Sequence, residues 1–170
     1  MLKLSIAIIA AGLCITGCEK SMSLPYVIFD RAAWEFNRAA WEAQGITSYT
    51  FEGLDQNNQS HARITVTDGQ ITSIEKFHEN YDFWGNPIPP IVGEKWGTVP
   101  DIFDWIASKY EEYHSKLNDL PKGDRFWFEI KYNMHFHYPE MIQFNRHSGT
   151  NKLFSEGPRF DINNLVPVRE

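Results

Sequence analysis

Two histidines separated by one residue, His135-Phe136-His137, are the sharpest candidates for chemistry in this chain. In an extended strand residues i and i+2 share a face, so both imidazoles would reach one Zn²⁺ or Cu²⁺ ion, with Glu129 or His147 as third ligand. The same alternation sets the pair on a polar strand face opposite Met134, Phe136 and Tyr138, where histidines are also common as solvated residues. Nothing else has metal-ligand spacing. The chain is therefore read as carrying no metal and no cofactor, with a small-ligand or metal site at His135 and His137 as the alternative. No GxSxG, CxxC, HExxH, P-loop or GxGxxG pattern occurs. Glu111 and Glu112 are helix neighbours pointing about 100° apart, which is no carboxylate dyad. His114 near a helix end suits the helix dipole. With no context marking a nucleophile, the expected role is non-enzymatic.

A second candidate is a contact surface. Residues 78–97 interleave Tyr81, Phe83, Trp84 and Trp96 with Gly85, Pro87, Pro89, Pro90, Gly93 and Gly97. A loop this long inside a small domain is commonly functional or mobile. Its aromatics would grip a protein, peptide or sugar partner, or else cover one end of the core; both readings are open.

These candidates must be positioned by alternating elements. Asp30 is a plausible N-cap for a helix running to Gln44, with Gly45 ending it. Inside it Arg31-Ala-Ala-Trp-Glu35 is echoed seven residues later by Arg38-Ala-Ala-Trp-Glu42, which stacks Trp34 above Trp41 on the face expected to be core. Ile46 to Leu54 reads as a strand. His61 to Thr67 and Gln70 to Phe77 read as a hairpin joined by Asp68-Gly69, with a bulge near Thr72-Ser73. Thr98-Val-Pro-Asp101 opens a second helix, whose stripe Val99, Ile102, Phe103, Ile106, Tyr110, Tyr113, Leu117 lies opposite a solvated acidic face. It stops before Pro121. Strands follow at Arg125 to Met134 and Met141 to Arg146, with a last short strand or turn at Phe160 to Ile162. The predicted fold class is α+β, an antiparallel sheet with two amphipathic helices packed on one face, in the order α-β-β-β-α-β-β(-β).

The 170 residues carry a net charge of −6 and are 15% aromatic. An acidic chain without a basic run argues against nucleic acid and against anionic membrane surfaces as partners. At the N-terminus, Met1 and Lys3 precede an apolar run from Leu4 to Ile15, too short for a membrane span, followed by Thr16-Gly17-Cys18. This resembles a bacterial lipoprotein signal, with Ile15 where leucine is usual. The resemblance implies cleavage after residue 17 and lipidation of Cys18. The partner so implied is the lipid bilayer, reached through N-terminal acyl chains such as palmitate. Glu19, where aspartate favours inner-membrane retention, points to the outer membrane facing the periplasm of the cell envelope. Residues 1–17 are then the signal peptide, 18–28 the lipidated terminus and tether, and 29–170 a single α+β domain. Only Lys3 is lost among the charges, leaving 153 residues at −7. Cys14 goes with the signal and Cys18 takes lipid, so no thiol remains for a disulfide, metal or nucleophile.

Further segments, Trp41-Glu-Ala-Gln-Gly-Ile-Thr-Ser-Tyr49, Val66-Thr-Asp-Gly69 with Ile71, Thr98-Val-Pro-Asp-Ile-Phe103 and Tyr138-Pro139, together with the signal, resemble the DUF6174 family of uncharacterised bacterial lipoproteins. The likeness spans roughly residues 34 to 168. Many members have glycine before the tyrosine-proline pair, where this chain has His137. The resemblance implies location and fold style and assigns no chemistry. The architecture is similar to small periplasmic modules that bind or inhibit other proteins, so the expected role is a membrane-anchored module binding an envelope protein or polymer.

Overall fold

Side chains just outside each helix set where it begins. Asp30 accepts a hydrogen bond from the Ala33 N–H at 2.9 Å and starts α1, Arg31–Ala43. Gly45, at φ 62°, turns the chain out of it. Thr98 and Asp101 form a capping box that starts α2, Val99–Ser115: Thr98 N–H donates to Asp101 at 2.7 Å, and Asp101 N–H donates to the Thr98 hydroxyl at 3.4 Å. A 3-10 turn at Leu117–Asp119 ends it ahead of Pro121.

The computed structural model describes residues 24–56, 60–76, 97–148 and 154–168. The fold is mixed α/β, with the two helices and one seven-stranded, mostly antiparallel sheet. The strands are β1 Tyr26–Ile28, β2 Tyr49–Asp55, β3 Ser60–Thr67, β4 Gln70–Lys76, β5 Arg125–Tyr132, β6 Pro139–His147 and β7 Phe154–Pro167, in spatial order β1-β5-β6-β7-β2-β3-β4. Asp68 at φ 50° and Gly69 at φ 75° make the β3–β4 turn. Thr65 faces Ser73 while Val66 faces Ile71, so Thr72 is the extra residue of a bulge.

Two expectations change. Residues 26–28, read as tether, form β1 and pair in parallel with β5, Tyr26 opposite Arg125 and Ile28 opposite Trp127. Tyr-Val-Ile is a β-favouring run, and Tyr26 N–H is further fixed by the Asp124 carbonyl at 3.2 Å. The ordered domain thus starts before residue 29. The short last strand is instead the 14-residue β7 between β6 and β2. Its regularity is hidden by Gly157-Pro158 and Asn163-Asn164, which mark its two bulges. A Cβ at Gly157 would fall on the Phe144 carbonyl oxygen, and Asn164 takes φ 53°.

Alternate strand residues meet both helices in one core. Trp41 of α1 and Val99, Ile102, Phe103 and Ile106 of α2 join Tyr49, Phe51, Ile64, Val66, Ile142 and Ile162. Trp41 meets the Tyr49 ring edge-on at 5.3 Å, and Trp34 Nε1 donates to the Phe103 carbonyl at 3.2 Å, so the tryptophan echo is packing. Its arginines clamp the helices from outside, Arg31 on Glu111 at 3.1 Å and Arg38 on Asp104 at 2.6 Å. At the helix–sheet junction the Tyr49 hydroxyl accepts the Val99 N–H at 2.8 Å. Burial pushes this phenol up to about 12, against the opposing hydrogen bonds from Val99 and Thr98.

Candidate functional site

The histidine pair does not lie on a strand. β5 ends at Tyr132, and the Asn133 side chain accepts from the N–H groups of His135 at 2.9 Å and Phe136 at 2.7 Å. Asn133 N–H reaches the Tyr138 carbonyl at 2.9 Å, and His137 N–H reaches the Asn133 carbonyl at the same distance. This tight turn leaves His137 at φ 63°, so the same-face rule for i and i+2 does not apply. His135 rests on the Phe136 ring, whereas His137 Nδ1 bonds Asn37 Oδ1 at 3.0 Å and its ring meets Phe36. His147 closes the far end of β6, eight residues beyond Pro139 and about 26 Å away at strand rise, so it cannot complete a site with them. Among the described residues no group of three His, Cys, Asp or Glu side chains is placed to hold a metal ion. Cys18, the signal peptide, Tyr81, Phe83, Trp84 and Trp96 lie outside the described residues.

Glu111 and Glu112 are engaged separately. Glu111 takes Arg31, and Glu112 takes Lys109 and Lys116, each at 2.7 Å. Those lysine hydrogen bonds hold the Glu112 carboxyl down to about 2.

Sheet order assembles a different site. The register lays two rows across β1, β5 and β6: Tyr26, Arg125 and His147, then Ile28, Trp127 and Asn145. Between them lies a hollow of about 360 Å³ lined by Tyr26, Ile28, Arg125, Trp127, Phe128 and His147. Tyr26 and Ile28 stay 37% and 52% exposed, so the wall is apolar yet accessible. Among the described residues the Nδ1 of His147 and the side-chain oxygen of Asn145 are buried without a hydrogen-bond partner. Among the described residues Arg125 makes no ion pair. No linear spacing connects Tyr26, Arg125 and His147. The available signal is Trp127, a large aromatic on the polar side of the Arg125–Tyr132 alternation.

A second cleft, of about 370 Å³, lies between the end of α2 and the sheet, with Tyr113, Lys116, Phe126 and Arg146 in its wall. Its cations are committed. Arg146 pairs with the fully buried Asp124 carboxylate at 2.8 Å and covers the Phe126 ring at 5.3 Å, while Lys116 is held by Glu112. Tyr113 stacks on Phe126 at 4.9 Å. The arrangement fastens the helix end to β5 and β6.

These elements define a sheet protein with two core-forming helices and a small amphipathic hollow at one edge. Comparison with protein-family models, with curated proteins and with solved structures gives no match to this chain. No helix among the described residues is long and apolar enough to cross a membrane.

Proposed function

We propose that this chain is a bacterial envelope lipoprotein of the kind the DUF6174 proteins represent, lipidated at Cys18, whose domain is a non-enzymatic binding module for an envelope protein or polymer. The observation that carries the reading is the difference between the two sheet edges. β4 presents Gln70, Thr72, Ser73, Glu75 and Lys76, all exposed and polar, beside a bulge, a pattern that discourages strand pairing. β1 presents exposed Tyr26 and Ile28, with Leu24 75% exposed just before it. Among the described residues β1 is the last strand at its end of the sheet, which supports the reading that a strand from a partner adds there. Seven residues separate Cys18 from Tyr26, a reach of about 15 Å for a flexible chain, which would hold this edge close to the bilayer. Tyr81, Phe83, Trp84 and Trp96 are retained as a proposed second contact.

The test is in-cell cross-linking of the lipidated protein and mass spectrometry of what co-purifies, beside a Cys18→Ala control. One enriched envelope component, lost in the control, supports an anchored module. Equal recovery from the control overturns the role of the anchor, and enrichment of nothing in either overturns partner binding.

A further inference from the structure

We propose that the hollow beneath Tyr26, Ile28 and Trp127 is a binding site for a small amphipathic anion, a carboxylate or phosphate on a short alkyl or aromatic body. The site goes beyond the partner-binding role and does not depend on it. Two features meet there, a cation and an apolar lining. Arg125 offers a guanidinium fork that makes no ion pair among the described residues, and that fork matches the two oxygens of a carboxylate or phosphate. Directly across the ladder from Arg125, His147 also lines the hollow. The nearest carboxylate along the same strand face, Glu129, is four residues from Arg125, about 13 Å away at strand rise, and does not neutralise it.

The remaining wall selects the body of the ligand. Tyr26, Ile28, Trp127 and Phe128 give an apolar lining to a volume at the small end of ligand pockets, which run from about 300 to 1,000 Å³. A fully polar anion would make no use of the apolar lining, and an uncharged hydrocarbon would leave Arg125 without a counter-charge. The amphipathic anion satisfies both. A soluble metabolite and the head region of an anionic lipid share this chemistry.

The test uses the lipidated full chain in phosphatidylcholine nanodiscs, with empty nanodiscs as the blank. Calorimetric titration compares 4-phenylbutyrate and phenyl phosphate with 4-phenylbutanamide, the neutral isostere of the first. The anions are expected to bind at least tenfold tighter than the amide, and Arg125→Gln is expected to abolish that preference while Glu129→Gln preserves it. Nanodiscs containing phosphatidylglycerol separate the sources: weakened binding of the soluble anions assigns the lipid head region, and unchanged binding assigns a soluble ligand. Equal affinity for acid and amide in the unmodified protein, or an anion preference that survives Arg125→Gln, would overturn the site.

Discussion

The Tyr49 hydroxyl is a single group that joins the first long strand to the start of the second helix, and Tyr49→Phe removes it while keeping the ring. Val99 is fully buried, and its N–H is an orphan donor of the first helical turn whose acceptor is this hydroxyl at 2.8 Å. Leaving such a donor unsatisfied costs about 1–3 kcal/mol, so the variant should be roughly 2 kcal/mol less stable at pH 8. The same group sets an alkaline limit. Its folded-state value of about 12 lies above that of an unfolded phenol, near 10, so the folded state keeps a proton that the unfolded chain has released. Stability is then complete below pH 10 and falls as pH rises towards 12, by roughly 2–3 kcal/mol for this residue alone. Tyr132 and Tyr138, also raised by burial, add in the same direction. Phenylalanine has nothing to titrate. The gap between the two proteins should therefore shrink from roughly 2 kcal/mol at pH 8 to near zero by pH 12. Urea unfolding followed by circular dichroism at half-unit pH steps measures it. A gap under about 0.5 kcal/mol at pH 8, or one unchanged at pH 11.5, would refute the reasoning.

Other consequences are as specific. Gly157→Ala drives a methyl group onto the Phe144 carbonyl and must part β6 from β7, so its urea midpoint should fall by the equivalent of about 2–4 kcal/mol. Trp41→Ala should cost about 3–5 kcal/mol, whereas Phe36→Ala, at a side chain 64% exposed, should stay within about 0.5; similar losses from both would contradict the core assignment. Arg146→Ala removes the ion pair made by the buried Asp124 carboxylate. Because the arginine is itself 48% exposed, the expected loss is about 2–3 kcal/mol, below the figure for a fully buried pair, and Asp124→Asn in the same background should recover part of it in thermal melts.

Wherever structure follows from neighbours in sequence, it was legible. Asp30, Gly45, the Thr98/Asp101 box and Asp68-Gly69 each fix a local geometry that competing contacts do not override. The bulge at Thr72 showed as a slipped alternation. The last strand stayed hidden because Gly157, Pro158 and Asn164 read as chain breakers, although in the sheet they accommodate bulges that tertiary pairing requires. The histidine pair misled for a related reason. Continuing the β5 alternation past Tyr132 ignores Asn133, whose side chain captures two backbone N–H groups and turns the chain. The hollow was beyond linear reading, because its residues come from positions 26–28, 125–128 and 147, and only the β1–β5–β6 order makes them neighbours.

The proposed role as a Cys18-anchored binding module makes the apolar β1 edge the surface that meets the partner. A photoreactive amino acid placed at Tyr26 in the lipidated full chain, and separately at Glu75 on the opposite edge, tests it in living cells. A discrete adduct with an envelope component is expected from position 26 and none from position 75. Adducts from position 75 alone, or none from position 26 in a protein shown to be folded and anchored, would contradict it.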